Sequence, residues 1–171
     1  MTLGARRGLI PAHLPYLTPR MPSQYQILPD RNLVYIRHYG RVTSTSAEES
    51  FAAFLADPRM RPGQNHLADF SEVTSFDMDH LRFMQFMARI ASDLTGKVAD
   101  QFLVLYGLEG PGHELVMANL RTWDGQPGMT LRIAASEAEA LDMLGLPERR
   151  FSALFDPREL ALSERPQRTD S

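Results

Sequence analysis

A polar stretch in the middle of the chain brings together several residue types that active sites use. The segment HLADFSEVTSFDMDHL, which begins at His66, holds imidazole, carboxylate and hydroxyl groups between two apolar runs. His66, Asp69 and His80 are residue types that bind divalent metals. Asp77 and Asp79 form a carboxylate pair of the kind that acid–base catalysts use. The segment is therefore a candidate metal site, catalytic site or phosphorylation switch, and the simplest alternative is a polar connection between a strand and a helix.

The spacing within this segment matches none of the established site motifs. No metal signature joins its histidines and carboxylates, and no GxSxG elbow surrounds Ser71 or Ser75. Aspartate is also common at helix starts, where its carboxylate caps free backbone amides. The segment GLEGPGHE at 107–114 likewise lacks the Lys and the Ser or Thr of a phosphate-binding loop. The sequence thus predicts no metal and no cofactor, and a hydrolase or metal enzyme is the weakest of three function hypotheses.

Composition and charge bound the class of protein. The chain has 171 residues, of which 43% are hydrophobic and 23% charged, as in one globular domain. A net charge of -3 gives no positive field for a phosphate backbone, so nucleic acid binding is not expected. The absence of cysteine excludes disulfides and thiolate chemistry. Prolines interrupt the N-terminal segment and no apolar run approaches the roughly 18 residues of a spanning helix, so we expect a cytoplasmic protein without a transmembrane segment.

Runs of apolar, aromatic and β-branched residues predict the strands. The runs at 25–28 and 33–39 flank the turn sequence PDRN and predict a β-hairpin. A short strand is expected at 65–70, and a polar loop should follow it. The continuous apolar run at 101–107 is typical of a strand that is covered on both faces. A last strand is predicted at 129–135.

Helical periodicity and capping residues predict four helices between and after these strands. The predicted helices run from a capping box at Thr45 and Glu48, or at Ser46 and Glu49, to just before Pro58; from Asp79 to about Leu94; from about His113 to Thr122; and from a capping box at Ser136 and Glu139 to a stop at Gly145 and Pro147. The apolar arc of the second helix is so broad that we expect this helix to be buried between neighbours.

The predicted element order is ββαβαβαβα, an α/β fold. Alternating strands and helices imply right-handed crossovers, so the sheet should be mostly parallel, with an opening antiparallel hairpin and flanking helices. We assign residues 1–22 to a loose N-terminal extension and residues 23–147 to a single domain. Residues 148–171 lose periodicity and are assigned to a C-terminal tail that contains at most a short docking helix.

This order and several strings within it resemble the STAS and SpoIIAA-like superfamily, to which bacterial anti-sigma-factor antagonists belong. The strings are YIRHYGRVT, LADFSEVTSFD and LRIAASEAEALDMLG, and the resemblance covers residues 24–147. The segment LADPRMRPGQNHLADFSEV is more similar to the SpoIIAA-like branch, sometimes grouped with the Sec14-like lipid carriers, than to the regulatory branch. The resemblance implies a SpoIIAA-like (STAS) fold and a non-enzymatic, regulatory binding role.

The position that carries the phosphorylatable serine in the regulatory branch departs from the family pattern. Met78 stands there, Asp79 stands at the second serine and His80 at the glycine. A phosphate at a helix N-terminus would meet free amides and the positive end of the dipole, but methionine cannot accept one. Asp79 supplies a permanent charge that suits an N-cap. We therefore expect a constitutive contact surface rather than a kinase-driven switch.

Two binding hypotheses follow. The first is contact with a protein partner through the strand-to-helix loop at residues 71–83. Its predicted contact residues are Ser71, Thr74, Ser75, Asp77, Met78, Asp79 and His80. The second is a small apolar-ligand or lipid carrier, with a pocket lined by Phe83, Met84, Met87 and Met117. The same methionine and phenylalanine side chains at helical spacing are also typical of an ordinary core.

Overall fold

The described part of the chain forms a five-stranded sheet with helices on both faces. The structure, a computed structural model, describes residues 22–77, 79–94, 100–107, 109–111, 113–114, 117, 120–121 and 127–155, and for residues 80, 91 and 94 it describes the backbone alone. No helix in these ranges is long and apolar enough to cross a membrane.

The strands lie in the sheet in the order in which they occur in the chain. They are β1 (Ser23–Leu28), β2 (Leu33–Thr43), β3 (Asn65–Asp77), β4 (Gln101–Tyr106) and β5 (Met129–Ala134). β1 pairs with β2 antiparallel, and every later pair is parallel. The predicted α/β class and the opening antiparallel hairpin are confirmed. Because neighbouring parallel strands need a crossover, the described helices between them, α1 (Ser44–Ala56) and α2 (His80–Leu94), lie over a face of the sheet.

The helices of the described residues divide between the two faces. They are a 3-10 turn at Pro29–Arg31, α1 (Ser44–Ala56), α2 (His80–Leu94), α3 (Glu137–Met143) and a second 3-10 turn at Phe151–Leu154. α1 and α2 pack on one face, which we call the α1/α2 face, through residues such as Phe54 and Phe83. α3 and the last 3-10 turn pack on the opposite face, the α3 face, through Leu141 and Phe151. The sheet is therefore covered on both sides.

β3 is longer than predicted, and the predicted loop at residues 71–83 is wrong. β3 runs to Asp77, so only residues 78 and 79 separate it from α2. β2 also continues to Thr43, and its last residues supply partners, with Val42 opposite Phe76 and Thr43 opposite Asp77. Val73, Thr74 and Phe76 have side chains that favour strands. The polar residues between them face solvent from a paired strand rather than from a turn.

The N-terminal cap of α1 also differs from the prediction. The cap is Thr43, whose Oγ1 accepts from the backbone N–H of Ser46 at 3.2 Å, while Ser46 Oγ accepts from the Thr43 N–H at 3.0 Å. This reciprocal pair replaces the predicted boxes at Thr45 or Ser46 with their glutamates. The helix can begin earlier because serine does the work of Glu at the third position. It ends at Ala56, before Pro58, as predicted.

α2 is a surface helix, so the prediction that it is buried between neighbours is wrong. Phe83 and Met87 are buried against the sheet. Leu81, at 66% exposure, and Met84, at 48%, face solvent. The sheet covers one side of the helix only, so an arc wider than that side is left partly uncovered. Asp79 is the predicted N-cap, because its Oδ1 accepts from the backbone N–H of Arg82 at 2.9 Å.

The last helix ends as its sequence predicts. Ser136 Oγ accepts from the Glu139 N–H at 3.1 Å. Gly145 has a φ of +70°, and the Leu146 N–H donates to the Leu141 carbonyl at 2.9 Å, which is the Schellman arrangement. Beyond it, Phe151 is buried on the α3 face. Of the predicted helix at 113–122, the described residues 113–114, 117 and 120–121 are helical, and the others lie outside the described residues.

Candidate functional site

A cavity of about 120 Å³ lies between the sheet and the two helices of the α1/α2 face. Its floor consists of alternate residues of four neighbouring strands, because side chains of one face recur every second residue. The floor residues include Ser23, Tyr25, Ile36, His38, His66, Ala68, Phe70 and Leu103. Its roof consists of Ala47, Ser50, Phe51 and Phe54 from α1 and Phe83, Phe86, Met87 and Ile90 from α2. Most of these side chains are apolar.

The cavity exists because small side chains stand where the two layers meet. Ala68 lines the floor, and Ala47 and Ser50 line the roof, and all three are buried. Interiors normally reach crystal-like packing density, so a space of this size reflects side chains too short to fill it. Six of the lining residues are half-buried, namely Tyr25, Ile36, His38, Phe51, Phe86 and Ile90, so part of the lining reaches solvent. Phe51 and Phe86 meet there edge to face, with ring centroids 5.8 Å apart.

His66 supplies a buried polar group at one end of the cavity. It is 4% exposed and packs edge-on against Phe54, with ring centroids 5.7 Å apart. Burial lowers the pKa of His66 to about 4, so the ring is neutral near pH 7. Within the described part of the chain, neither the His66 ring nor the Ser50 hydroxyl has a hydrogen-bond partner. Both groups line a space in which an occupant could bond to them.

His38 lies at the other end of the cavity and already has a partner. Its Nδ1 and Ser23 Oγ are 2.8 Å apart and share a hydrogen bond whose direction depends on the tautomer. Its ring stacks on Phe70 at a centroid distance of 4.6 Å. Phe70 is four residues from His66, a rise of about 13 Å along the strand, which separates the two imidazoles. The atoms packed around His38 lower its pKa, so this half-buried ring is neutral as well.

The cavity therefore offers an apolar chamber with neutral polar groups. Its described lining contains no Asp, Glu, Lys or Arg side chain. A charged ligand would lose its hydration without gaining an opposite charge, which costs several kcal/mol or more. This chemistry suits the binding of a small, neutral and largely apolar molecule.

The four residues of the pocket hypothesis occupy different places. Phe83 and Met87 line the cavity. Met84 points outward, and Met117, which is half-buried, is not among the described lining residues. The sequence interpretation missed the floor and the α1 part of the roof. One signal in the sequence could have indicated part of the floor: His38 continues the alternation of Val34 and Ile36 in β2.

Asp69 lies on the opposite, α3 face and is fully engaged. Its Oδ1 accepts from the Ser71 N–H at 3.0 Å and from the Ser71 hydroxyl at 2.6 Å. Its Oδ2 accepts from the Tyr35 hydroxyl at 2.9 Å. Burial, and then the adjacent charge of Asp69, raise the pKa of Tyr35 well above its usual value, so this phenol remains a donor. These contacts are those of a structural carboxylate.

The glycine-rich segment after β4 packs directly against this carboxylate's strand. Gly107 has a φ of +101°, and a Cβ added there would lie 2.5 Å from the Ser71 nitrogen. Only glycine allows this approach without a shift of one backbone. The segment therefore meets β3 in the middle of that strand, just after the last described β3–β4 pair, Asp69 with Tyr106.

The predicted partner-contact residues form an exposed surface along β3 and the start of α2. Ser71, Thr74, Ser75, Asp77 and Asp79 are exposed, while Met78 and the side chain of His80 lie outside the described residues. Asp77 pairs with Arg41. Asp79 caps α2. Whether a partner binds this surface stays a prediction.

The candidate metal ligands do not converge. His66 faces the α1/α2 side of β3, whereas Asp69, three residues on, faces the α3 side. Within the described residues no group of three His, Cys, Asp or Glu side chains could hold a metal ion. No known family model matches the chain, and no curated protein matches it either.

Proposed function

We propose that this protein is a non-enzymatic binding module whose cavity on the α1/α2 face holds a small apolar ligand. The observation that carries this proposal is the cavity itself, a space of about 120 Å³ bounded by two helices and four strands. A cavity in the packing lowers the free energy of unfolding, because unfilled core volume reduces stability by roughly 24 cal/mol per Å³. Occupation by a ligand would recover that contact energy.

The size of the cavity supports a small ligand rather than a long acyl chain. An apolar cavity of about 150 Å³ is known to bind benzene, whereas larger organic ligands occupy pockets of roughly 300–1,000 Å³. The cavity is thus of the scale of a single ring or a short aliphatic chain. Of the small-ligand and lipid alternatives, its dimensions favour the first.

The SpoIIAA-like fold is part of the same proposal. After the antiparallel β1–β2 hairpin, β3, β4 and β5 follow in chain order, each parallel to the strand before it, which agrees with the element order on which the resemblance rests. The engagement of Asp69 in hydrogen bonds to its own fold supports a binding role over a catalytic one.

A ligand titration with a cavity-filling variant tests the proposal. We expect toluene to raise the melting temperature of the full chain and to shift the amide signals of residues around the cavity. Ala68→Leu should weaken toluene binding by about tenfold or more, because the larger side chain occupies the space. Ala88→Leu, the same change on the exposed side of α2, should leave binding unaltered. Absence of any toluene-induced change, or equal binding by Ala68→Leu, would overturn the proposal.

A second candidate function is contact with a protein partner through residues 71–83. The observation that favours it is the exposure of two large apolar side chains, Leu81 and Met84, one turn apart on α2. Exposed residues of this kind often mark contact surfaces.

The test of this surface must leave α2 intact. Asp79 caps the helix, so reversing its charge would change the helix as well as the surface. Leu81→Ser with Met84→Ser removes the apolar contact instead, and Gln85→Ser is a neighbouring exposed control. Capture of a partner by the wild type and by the control, but not by the double variant, is the expected result. Equal capture by all three would remove this surface from consideration.

A further inference from the structure

The polar lining of the cavity restricts the chemistry of its occupant. His66 and Ser50 are both buried, both line the cavity, and within the described residues neither side chain has a hydrogen-bond partner. Buried polar groups are almost always hydrogen-bonded, to protein or to water. An occupant that bonds to them therefore gains what a pure hydrocarbon cannot.

The protonation state of His66 decides what that occupant offers. A neutral imidazole has one N–H donor and one bare nitrogen acceptor. A hydroxyl group can donate and accept, so it suits His66 in either tautomer, whereas a carbonyl suits only the tautomer whose N–H faces the cavity. A carboxylate would be buried with no cation among the described lining residues. The neutral imidazole of His66 and the absence of charged side chains from the described lining together favour a neutral ligand with a hydroxyl group.

His38 does not compete for this role. Its Nδ1 is engaged with Ser23 and its ring face with Phe70, so part of its bonding capacity is already used. The His38 residue is half-buried, whereas His66 is 4% exposed.

We propose that the occupant of the cavity is a small neutral molecule with a hydroxyl group, of the size of a phenol, and that this hydroxyl hydrogen-bonds to His66. This inference rests on the proposed function and assigns the ligand class of the same cavity. His66 is the specificity-determining residue in it, because the apolar walls accept any ring of suitable size.

Three probes of one ring size separate the contributions. Phenol carries the hydroxyl, toluene replaces it with a methyl group, and benzoate carries a full charge. Titration of the histidine-labelled full chain, observed through the imidazole nitrogens, should show phenol shifting the His66 signals while toluene binds with little effect on them. The signals of His113, an exposed residue that is not among the described lining residues, serve as the internal reference. Benzoate should not bind.

A substitution then measures the contribution of the hydroxyl contact. His66→Phe keeps a ring of similar size against Phe54 and removes both polar atoms. The ratio of phenol affinity to toluene affinity should fall by about fivefold to tenfold, as expected for one hydrogen bond. If the variant does not fold, the wild-type imidazole spectrum still decides, because phenol binding without a His66 shift contradicts the proposed contact.

The outcomes separate the two proposals. Binding of toluene with no phenol-induced change at His66, an unchanged affinity ratio in His66→Phe, or benzoate binding as tight as phenol would overturn the inference while leaving the cavity a ligand site. Failure of both toluene and phenol to bind would overturn the proposed function itself.

Discussion

His66 and Asp69 lie three residues apart in one strand, are both buried, and face opposite sides of the sheet. Asp69 accepts hydrogen bonds from Tyr35 and from both the backbone and the hydroxyl of Ser71. His66 borders a cavity and has no hydrogen-bond partner among the described residues. A buried polar side chain therefore indicates a binding function only when the fold leaves its hydrogen-bonding atoms without partners. The burial of the Asp69 carboxylate is accounted for by its hydrogen bonds within the fold, whereas no hydrogen bond among the described residues accounts for the burial of the His66 imidazole.

Removal of the engaged carboxylate should have the largest effect. Asp69→Ala deletes three accepted hydrogen bonds and leaves the buried Tyr35 hydroxyl without an acceptor. We expect the free energy of unfolding to fall by about 4 kcal/mol. Urea denaturation measures it. Asp77→Ala on the same strand, whose exposed pair with Arg41 is screened by solvent, should change stability very little. Similar losses in both variants would mean that Asp69 is not structural.

Acid should destabilise the protein through the cavity side. Burial lowers the pKa of His66 from 6.5 to about 4. Between these two pH values the imidazole of His66 binds a proton in the unfolded chain but not in the folded chain. The contribution of His66 to the free energy of unfolding is therefore fully present above pH 6.5. It is lost as the pH drops toward 4, which lowers the free energy of unfolding by about 3 kcal/mol. His38 acts in the same direction.

His66→Phe separates this contribution from that of other groups. Its unfolding free energy, measured by urea titration from pH 7 to pH 4, should decline less than that of the wild type. His113→Phe, at an exposed position, is the matched control and should keep the wild-type decline. Parallel curves for His66→Phe and the wild type would contradict the assigned burial of a neutral imidazole.

The close approach of Gly107, just after β4, to the backbone of β3 should be the next most sensitive feature. Gly107→Ala adds a Cβ against the Ser71 nitrogen at a φ that L residues rarely adopt. Gly110→Ala is the control, because Gly110 also has a positive φ, +74°, but no atom lies within 4 Å of the added Cβ. We expect Gly107→Ala to lower the unfolding free energy by about 2 kcal/mol more than Gly110→Ala does. Equal costs in thermal or urea melts would show that the contact with β3 is unimportant.

The smallest effect belongs to a single hydrogen bond on the α3 face. Tyr35→Phe keeps the ring packed against Phe151 and removes only the hydroxyl that donates to Asp69. A loss of about 1 kcal/mol is expected, because Asp69 retains both contacts with Ser71. Toluene affinity should be unchanged, since Tyr35 lies on the face opposite the cavity. A change in toluene affinity would show that the two faces are coupled.

Local signals predicted the element types well and their lengths poorly. The hairpin, the buried strand β4, the end of α1 before Pro58 and the caps of α2 and α3 depend on neighbours in the sequence, and the structure confirms them. The extension of β3 to Asp77 depends on β2 offering partners more than thirty residues away. Serine and threonine suit both a turn and the exposed side of a strand, so the local sequence could not decide.

The cavity could not be predicted for a similar reason. Its lining comes from six elements, and no single segment contains a recognisable motif for it. Phe83 and Met87 were among the predicted pocket residues because helical periodicity placed them together. Ala68 and Ser50 were not, because a small residue leaves a gap only when the residues across from it are also small. That condition belongs to the packing of layers rather than to any one segment.

The sequence by itself determined the α/β class, the order of its elements and the N-terminal cap of α2 by Asp79, since these follow from periodicity and capping chemistry over short distances. It also determined that Met78 cannot accept a phosphate. The roles of His66 and Asp69 became visible only in the folded chain, where they face opposite sides of the same strand. His66 lies beside a cavity without a hydrogen-bond partner among the described residues, whereas Asp69 accepts three hydrogen bonds. The physical reason is that a polar side chain's availability depends on which distant groups the fold brings within bonding distance of it.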